Sequence, residues 1–374
     1  MEEHFYLARF LSVCLYTFLS MVTCYRIYTG KRSVRFNLCV FTIILSILSW
    51  FFIPAGSMDL YRLWITADEY NRYGSISQII TSVFNSTWSG PLGLLYVIVL
   101  SRINKHLVPM ITTLLFYGNI FYIISDYDKK HQVSRLSIAS IVFFFLSRGV
   151  YGEVVSGIRS MLAFSFLARC IYDEVYNKKS VLWNLPLYLV LALFHQTSLI
   201  AIAIWLLVKA IIGTKGLKRI SLVILIIFTF GGFSFYFGNL LDSVFNSLGS
   251  YLTTGGYSYI WEFVFNTFYM IICLFVFSYS SKGLLISQEC LFMRRITNLF
   301  FGVCVVFINV FAIYHRYISF ASFISIPVLI EVIDEKSNSI HSIIPSRNMV
   351  ILACIMMFLS GLKGNLNGIR FFTL

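Results

Sequence analysis

The residues of this chain that could do chemistry are charged and aromatic side chains that interrupt long apolar runs. The first group follows the second apolar run and contains Asp59, Tyr61 and Arg62. Carboxylates and arginines form hydrogen bonds with sugar hydroxyls, and aromatic faces pack on sugar rings. This group therefore suits a carbohydrate site. A solvated loop with interfacial aromatic residues is the alternative interpretation.

The second group lies at a glycine-rich break between two apolar runs and contains Arg148, Glu153 and Arg159. Arg159 stands just inside the start of the next predicted helix. Guanidinium groups beside a helix amino terminus form a good phosphate site, because forked donors and the helix dipole act together. The competing interpretation is a structural ion pair between Glu153 and one of the two arginines.

The third group is His195 with its polar neighbours Gln196 and Thr197, at the centre of the apolar run 181–212. This run is too long for one ordinary span, so we predict two short helices that meet at His195. Backbone groups at such a break are free to face a cavity. The histidine could therefore act as an acid or base near neutral pH, or serve as a hydrogen-bonded structural residue.

The fourth group is His315, Arg316 and Tyr317, between two apolar runs with almost no loop. A basic pair in this position cannot extend far into solvent, so we expect it to face a partner or an anion. Extension of both side chains to the lipid headgroups is the alternative.

The elements that position these groups must be membrane helices. The chain of 374 residues is 58% hydrophobic and 12% charged, and soluble domains carry about twice that charged fraction. A membrane-spanning helix needs roughly 20 apolar residues, so the chain can cross the bilayer about 10–12 times. We predict an all-α polytopic integral membrane protein. It forms a single transmembrane domain over residues 1–374, with short or re-entrant helices at its outer face.

Hydropathy and basic loops set the expected topology. The predicted spans are 7–27, 36–54, 107–124, 136–150, 158–172, 220–238, 259–280, 296–314, 317–333 and 348–362. Five basic clusters fall on one side, which should be the cytoplasm. They are Lys31-Arg32-Arg35, Lys129-Lys130-His131-Arg135, Lys178-Lys179, Lys209 with Lys215-Lys218-Arg219, and Lys282 with Arg294-Arg295. The net charge of +13 therefore reports topology and not nucleic-acid binding. Arg102, Lys105 and His106 break the alternation, so we predict a short re-entrant or interfacial segment at 88–101. The amino terminus has no basic region typical of a cleavable signal peptide, so the first span is expected to remain.

Several of these segments resemble the EpsG/Wzy-like group of bacterial polysaccharide polymerases. Gly157-Ile158-Arg159-Ser160 with Ala163 is similar to the GxRQxxA pattern of that group, and Phe194-His195-Gln196-Thr197-Ser198-Leu199-Ile200 is similar to its FHxSxLI pattern. The late segment Tyr314-His315-Arg316-Tyr317-Ile318-Ser319-Phe320 also resembles that group. The resemblance extends from about residue 55 to residue 320. Ser160 departs from the pattern, because glutamine is common at that position.

The resemblance implies an enzyme that joins oligosaccharide repeat units carried on undecaprenyl diphosphate at the outer face of the bacterial inner membrane. The product would be O-antigen or a similar surface polysaccharide, and a chain-length regulator protein is an expected partner. Such a transfer needs cations for the departing diphosphate and a base for the acceptor hydroxyl. The expected diphosphate contacts are Arg148, Arg159 and Arg316, with Tyr61, Arg62, His315 and Tyr317 as further substrate-binding residues.

For the base, Asp59 is the first choice, His195 the second and Glu153 the third. No cofactor is expected, and no cluster has metal-ligand spacing, so the arginines should replace a divalent ion. The alternatives are a flippase or other transporter of lipid-linked oligosaccharide, or another membrane glycosyl- or acyltransferase acting on the same polymer. The sequence shows no P-loop, zinc-protease or serine-hydrolase motif.

Overall fold

The computed structural model describes residues 2–54, 56, 58–72, 75–86, 90–212, 260–279, 287–308, 310–334 and 346–367. Within these ranges the chain forms fifteen α-helices and no β-strand. They are α1 (Glu2–Tyr28), α2 (Val34–Trp50), α3 (Asp59–Asn71), α4 (Ile76–Ser86), α5 (Pro91–Ile103), α6 (Leu107–His131), α7 (Arg135–Ser147), α8 (Val150–Ser156), α9 (Ile158–Val175), α10 (Val181–Phe194), α11 (Gln196–Ile212), α12 (Ile260–Tyr279), α13 (Gln288–Val306), α14 (Phe311–Ile333) and α15 (Ser346–Asn367). The predicted span 220–238 lies outside the described residues.

The prediction of an all-α membrane protein is confirmed. Three segments are long and apolar enough to cross a membrane, namely Phe10–Tyr28, Leu107–His131 and Ile313–Ile333. The bent pair α7 and α8, which turns by 52°, adds a fourth if it counts as one span. Six further apolar helices or helix segments of the described chain are shorter, at 10–17 residues. The total of about 10–12 crossings therefore stays a prediction.

The helices pack around α6 and α9. Helix α6 packs against α2, α8 and α9, while α9 also contacts α10, α11 and α14. Helix α7 packs between α1 and α15, and α14 packs against α12 and α13. The interior is rich in rings, and Tyr117, Tyr151, Trp205 and Phe320 are all fully buried.

Ion pairs mark one end of this bundle, which we name the Asp173 end. There the last turns of α6 and α9 meet the start of α10. Lys130 donates to Asp126 at 2.6 Å and Lys179 donates to Asp173 at 2.6 Å. These lysines belong to two of the predicted basic loops, which lie together because Lys130 also donates to the amide oxygen of Asn177. The basic residues Lys215, Lys218, Arg219 and Lys282 of other such loops lie outside the described residues.

At the opposite end, which we name the His195 end, three helix starts have no capping side chain. Four helices that begin at the Asp173 end have a serine N-cap whose side chain accepts a backbone N–H, as is common at helix starts: Ser33, Ser134, Ser180 and Ser287. Three helices that begin at the His195 end have no side-chain cap, and their N-cap residues are Gly90, Gly157 and Val310. Backbone N–H groups at the first turns of these helices are therefore not satisfied by a capping side chain.

Short helices occupy the region between the second predicted span and α6. The predicted loop 55–87 contains α3 and α4, and the predicted short segment at 88–101 is α5. At 13 residues α5 is about 20 Å long, less than the roughly 30 Å of a bilayer core. Lys105 forms an ion pair with Asp68 of α3 at 2.6 Å. The centre of the His106 ring lies 5.7 Å from the ring centre of Trp50 and 5.6 Å from that of Trp64. The sixth basic cluster therefore lies at the His195 end.

One predicted helix boundary is wrong. The sequence predicts a break between spans 296–314 and 317–333, but α13 ends at Val306 and α14 begins at Phe311. His315 and Arg316 consequently stand in the second turn of α14 and not in a connection. Hydropathy misses the true break because Phe307, Ile308 and Val310 are themselves apolar.

Candidate functional site

His195 forms the centre of the candidate site. It separates α10 from α11, as predicted, and it is the residue before the first turn of α11. Its side chain is buried, at 6% exposed. Its Nδ1 atom lies 3.2 Å from the backbone nitrogen of Thr197, which donates to it, and 2.6 Å from the Thr197 Oγ1 atom. The hydroxyl of Tyr317 on α14 donates to the Thr197 carbonyl oxygen at 3.0 Å, so α14 holds this turn.

Two arginines from other helices lie near His195. Arg159 stands at the second position of α9 and Arg316 in the second turn of α14. Both act electrostatically on His195, and the two guanidinium groups also act on each other. Like charges repel, so their proximity suits an anion between them. Arg316 forms no ion pair with any acidic side chain of the described ranges.

Two glycines at the start of α5 allow the close approach that this arrangement needs. A Cβ atom added at Gly93 would lie 2.3 Å from the Phe194 carbonyl oxygen and 2.9 Å from Cδ of Arg159. A Cβ atom at Gly90 would lie 2.5 Å from the same oxygen, and Gly90 has a φ of +108°. The start of α5 therefore packs directly on the end of α10, beside the Arg159 side chain.

The group on α3 lies at the edge of the site. Asp59 is the first residue of α3 and accepts a hydrogen bond from Arg62 at 2.5 Å. The two side chains are 50% and 69% exposed, respectively. The Asp59 carboxylate acts electrostatically on Arg159. Tyr61 is exposed on the same helix. The α3 group thus faces solvent beside Arg159.

A second polar cluster lies deeper. Arg148 is fully buried, and its guanidinium donates to Ser319 at 2.5 Å and to Ser322. It also lies 3.6 Å from a Glu153 carboxylate oxygen, and its carbon Cζ stands 5.4 Å from the Tyr269 ring centre. This is the structural ion pair that the sequence left open for Glu153, with Arg148 as the partner.

Glu153 connects this cluster to α14. One of its oxygens accepts from the Ser319 hydroxyl at 3.0 Å, and the other lies 3.5 Å from Nε2 of His315. His315 and Arg316 are neighbours in the chain but serve different clusters. Arg148 is buried in this cluster, where it contacts Glu153 and two serines of α14.

The structure therefore brings together four of the sequence-predicted residues, Asp59, Arg159, His195 and Arg316. It assigns Arg148, Glu153 and His315 to the neighbouring buried cluster, and it places Tyr317 behind the His195 turn. No role was predicted for Thr197, Gly93 or Ser319. Thr197 stood within a motif already singled out. No local signal marks the contacts of Gly93 and Ser319, because both cross between helices.

An open cavity of about 210 Å³ lies far from this site, at the Asp173 end, and is lined by Glu174, Val175, Lys178, Lys209, Gln288, Glu289 and Phe292. Its lysines are paired, Lys178 with Glu289 and Lys209 with Glu174. The cavity thus has balanced charge, whereas the chemistry-bearing groups gather at the other end.

Within the described ranges, no group of three or more His, Cys, Asp or Glu residues is arranged to hold a metal ion. In comparisons with known proteins, no family model, no curated protein and no solved structure matches this chain.

Proposed function

We propose that this protein is a membrane polymerase that transfers a glycan from undecaprenyl diphosphate onto a second lipid-linked repeat unit. The proposed location is the bacterial inner membrane, with the His195 end facing outward, and the polymer is O-antigen or a similar surface polysaccharide. The observation that supports this most is the convergence of Arg159, Arg316 and His195 from α9, α14 and the break between α10 and α11. The motif resemblance covers all three positions.

The charges at this end suit a diphosphate. Arg62 is paired with Asp59, and Arg148 is paired with Glu153. The charges of the other two arginines of this region, Arg159 and Arg316, act on His195. A diphosphate linked at both ends carries one negative charge on each phosphate, which two guanidinium groups can match with charge-assisted hydrogen bonds.

The helix starts strengthen the anion site. Helix α9 begins at Gly157 without a side-chain cap, and Arg159 stands in its first turn. The positive end of the helix dipole and the uncapped N–H groups favour a phosphate at this point. Helices α5 and α14 likewise begin at this end without a side-chain cap.

In the proposed reaction, the bond between the donor sugar's anomeric carbon and the diphosphate oxygen breaks, and its electron pair leaves with undecaprenyl diphosphate. The acceptor hydroxyl oxygen forms the new bond to that carbon, and its proton passes to the Asp59 carboxylate. Asp59 suits this role because it is exposed and lies within electrostatic reach of Arg159. Arg159 and Arg316 stabilise the charge that develops on the departing diphosphate.

The test is the length distribution of surface polysaccharide, measured on gels from a deletion strain that carries a plasmid copy. Deletion is expected to leave single repeat units, and wild-type protein should restore long chains. Arg159→Ala should not restore them, whereas the matched control Arg135→Ala should. Arg135 also stands in the first turn of a helix, but at the Asp173 end, in an exposed pair with Asp128 at 3.5 Å.

Long chains in an Arg159→Ala strain with normal amounts of membrane-inserted protein would contradict the site. A deletion that lowers the flux of lipid-linked units, with the length distribution unchanged, would favour a transporter. A changed sugar composition of the repeat unit would favour another glycosyl- or acyltransferase.

A further inference from the structure

The contacts of Thr197 define which nitrogen of His195 carries the proton. A neutral imidazole has one N–H donor and one acceptor lone pair. The backbone N–H of Thr197 points at Nδ1 over 3.2 Å, so a proton on Nδ1 would face the amide proton. Nδ1 is therefore the acceptor, and the Thr197 hydroxyl, at 2.6 Å, donates to the same atom. The proton of the ring is consequently on Nε2.

A charged ring is disfavoured by the same surroundings. Protonation of Nδ1 would break the amide contact of Thr197. It would also place a third positive charge beside Arg159 and Arg316, which both act on this ring, and repulsion between like charges is strong where water is excluded. The ring that the structure supports is neutral, with Nε2–H as its one donor.

We infer that His195 donates a hydrogen bond through Nε2–H to an anionic oxygen of the lipid diphosphate, and that it is not the base of the transfer. This role rests on the proposed function. As a base, His195 would need a lone pair on the nitrogen that faces the acceptor, but the lone pair is on Nδ1, where Thr197 occupies it. His195 thus joins Arg159 and Arg316 as a third donor to the leaving group.

Thr197 is a positioning residue in this scheme. It acts on the substrate only through the orientation and tautomer of His195. Tyr317 in turn fixes the Thr197 peptide by donating to its carbonyl oxygen at 3.0 Å. The chain Tyr317, Thr197, His195 therefore links α14 to the donor that faces the diphosphate.

The tautomer can be measured directly by ¹⁵N NMR on purified protein with labelled histidine in lipid nanodiscs, because protonated and unprotonated ring nitrogens resonate far apart. A spectrum of His195→Gln assigns the His195 signals by their loss. The expected result is a protonated Nε2 and an unprotonated Nδ1. A proton on Nδ1, or protons on both nitrogens, would overturn the inference.

The role of Thr197 has its own readout in the same spectra. Thr197→Val keeps the backbone N–H and the side-chain size but removes the hydroxyl, so the Nδ1 resonance should shift. Thr197→Ser keeps the hydroxyl and should leave the resonance near its wild-type position. An identical Nδ1 resonance in the Val variant and in the wild type would show that the side chain of Thr197 does not position the ring.

Two substitutions separate a donor from a base in the polysaccharide assay. Glutamine keeps a neutral N–H donor, so His195→Gln should slow chain extension by no more than about tenfold. Glutamate offers a base and no donor, so His195→Glu should slow it roughly 100-fold, the usual effect of losing one oxyanion donor. The reverse order would overturn the donor role. The amount of each variant in the membrane is measured with an epitope tag.

The two proposals fail separately. The NMR result concerns the ring alone and needs only wild type and His195→Gln, so it stands even if His195→Glu does not accumulate. An unchanged polysaccharide length on deletion of the protein would reject the proposed function and leave the tautomer measurement intact.

Discussion

Gly93→Ala is expected to disrupt the site without removing any charged group. The added Cβ atom would lie 2.3 Å from the Phe194 carbonyl oxygen, where ordinary contact begins at 3.4 Å. The neighbour is backbone at the end of α10, so no flexible side chain can move out of the way. The added Cβ atom would also lie 2.9 Å from Cδ of Arg159, so it has no free space on that side either. Helix α5 and the His195 turn must therefore separate by about 1 Å.

This displacement should lower both the stability of the protein and the rate of chain extension. Overpacking by one methyl group costs typically about 1–3 kcal/mol of stability, and the higher helix propensity of alanine returns roughly 1 kcal/mol. The net loss of stability should be small, at about 1 kcal/mol. The effect on chemistry should be larger, because a misplacement of about 1 Å between reacting groups can lower a rate about 100-fold. We expect chain extension to fall by that factor.

Gly118→Ala on α6 is the matched control, because a Cβ atom there meets nothing within 4 Å. Both variants are compared for polysaccharide length in the deletion strain and for thermal unfolding in detergent. We expect Gly118→Ala to support normal chains and to be slightly stabilised. Equal polymer lengths in the two variants would refute the idea that the contact between α5 and α10 positions His195 and Arg159.

Two further predictions concern buried polar contacts. The Glu174 carboxylate is fully buried and accepts hydrogen bonds from the side chains of Asn184, Tyr188, Trp205 and Lys209. Glu174→Gln should lower the unfolding free energy in detergent by about 3 kcal/mol, because it leaves Lys209 without its counter-charge. Glu289→Gln, in an exposed pair, should change it by less than about 1 kcal/mol, and equal losses would contradict the first estimate. Tyr317→Phe removes the donor to the Thr197 carbonyl and should cost about 1–3 kcal/mol, together with shorter polysaccharide chains; normal chains would show that the turn holds without it.

The sequence predicted the helices and the break at His195 because both depend on local patterns. Apolar runs mark the helices, and the polar triplet His195, Gln196 and Thr197 interrupts an apolar run that is too long for one helix. The boundary before α14 was wrong for the same reason. His315 and Arg316 are the polar interruption that hydropathy detects, whereas the actual break at residues 307–310 is mostly apolar.

The contacts of the site were less predictable because they join distant parts of the chain. Glu153 and the Ser319 hydroxyl are 166 positions apart, and no spacing rule relates them. The sequence offered both Arg148 and Arg159 as partners for Glu153, and only the packing of α8 near α14 selects Arg148. The approach of Gly93 to Phe194 depends on the ends of two short helices meeting, which a single sequence does not indicate.

The register of α14 explains how one short segment serves three neighbours. Consecutive residues of an α-helix point about 100° apart. His315 thus faces Glu153, Arg316 faces the His195 and Arg159 side, and Tyr317 reaches the turn of Thr197. This distribution requires the segment to be helical, so it depends on the break falling before Phe311. A shift of one residue in α14 would therefore exchange these partners and disrupt the buried cluster and the anion site together.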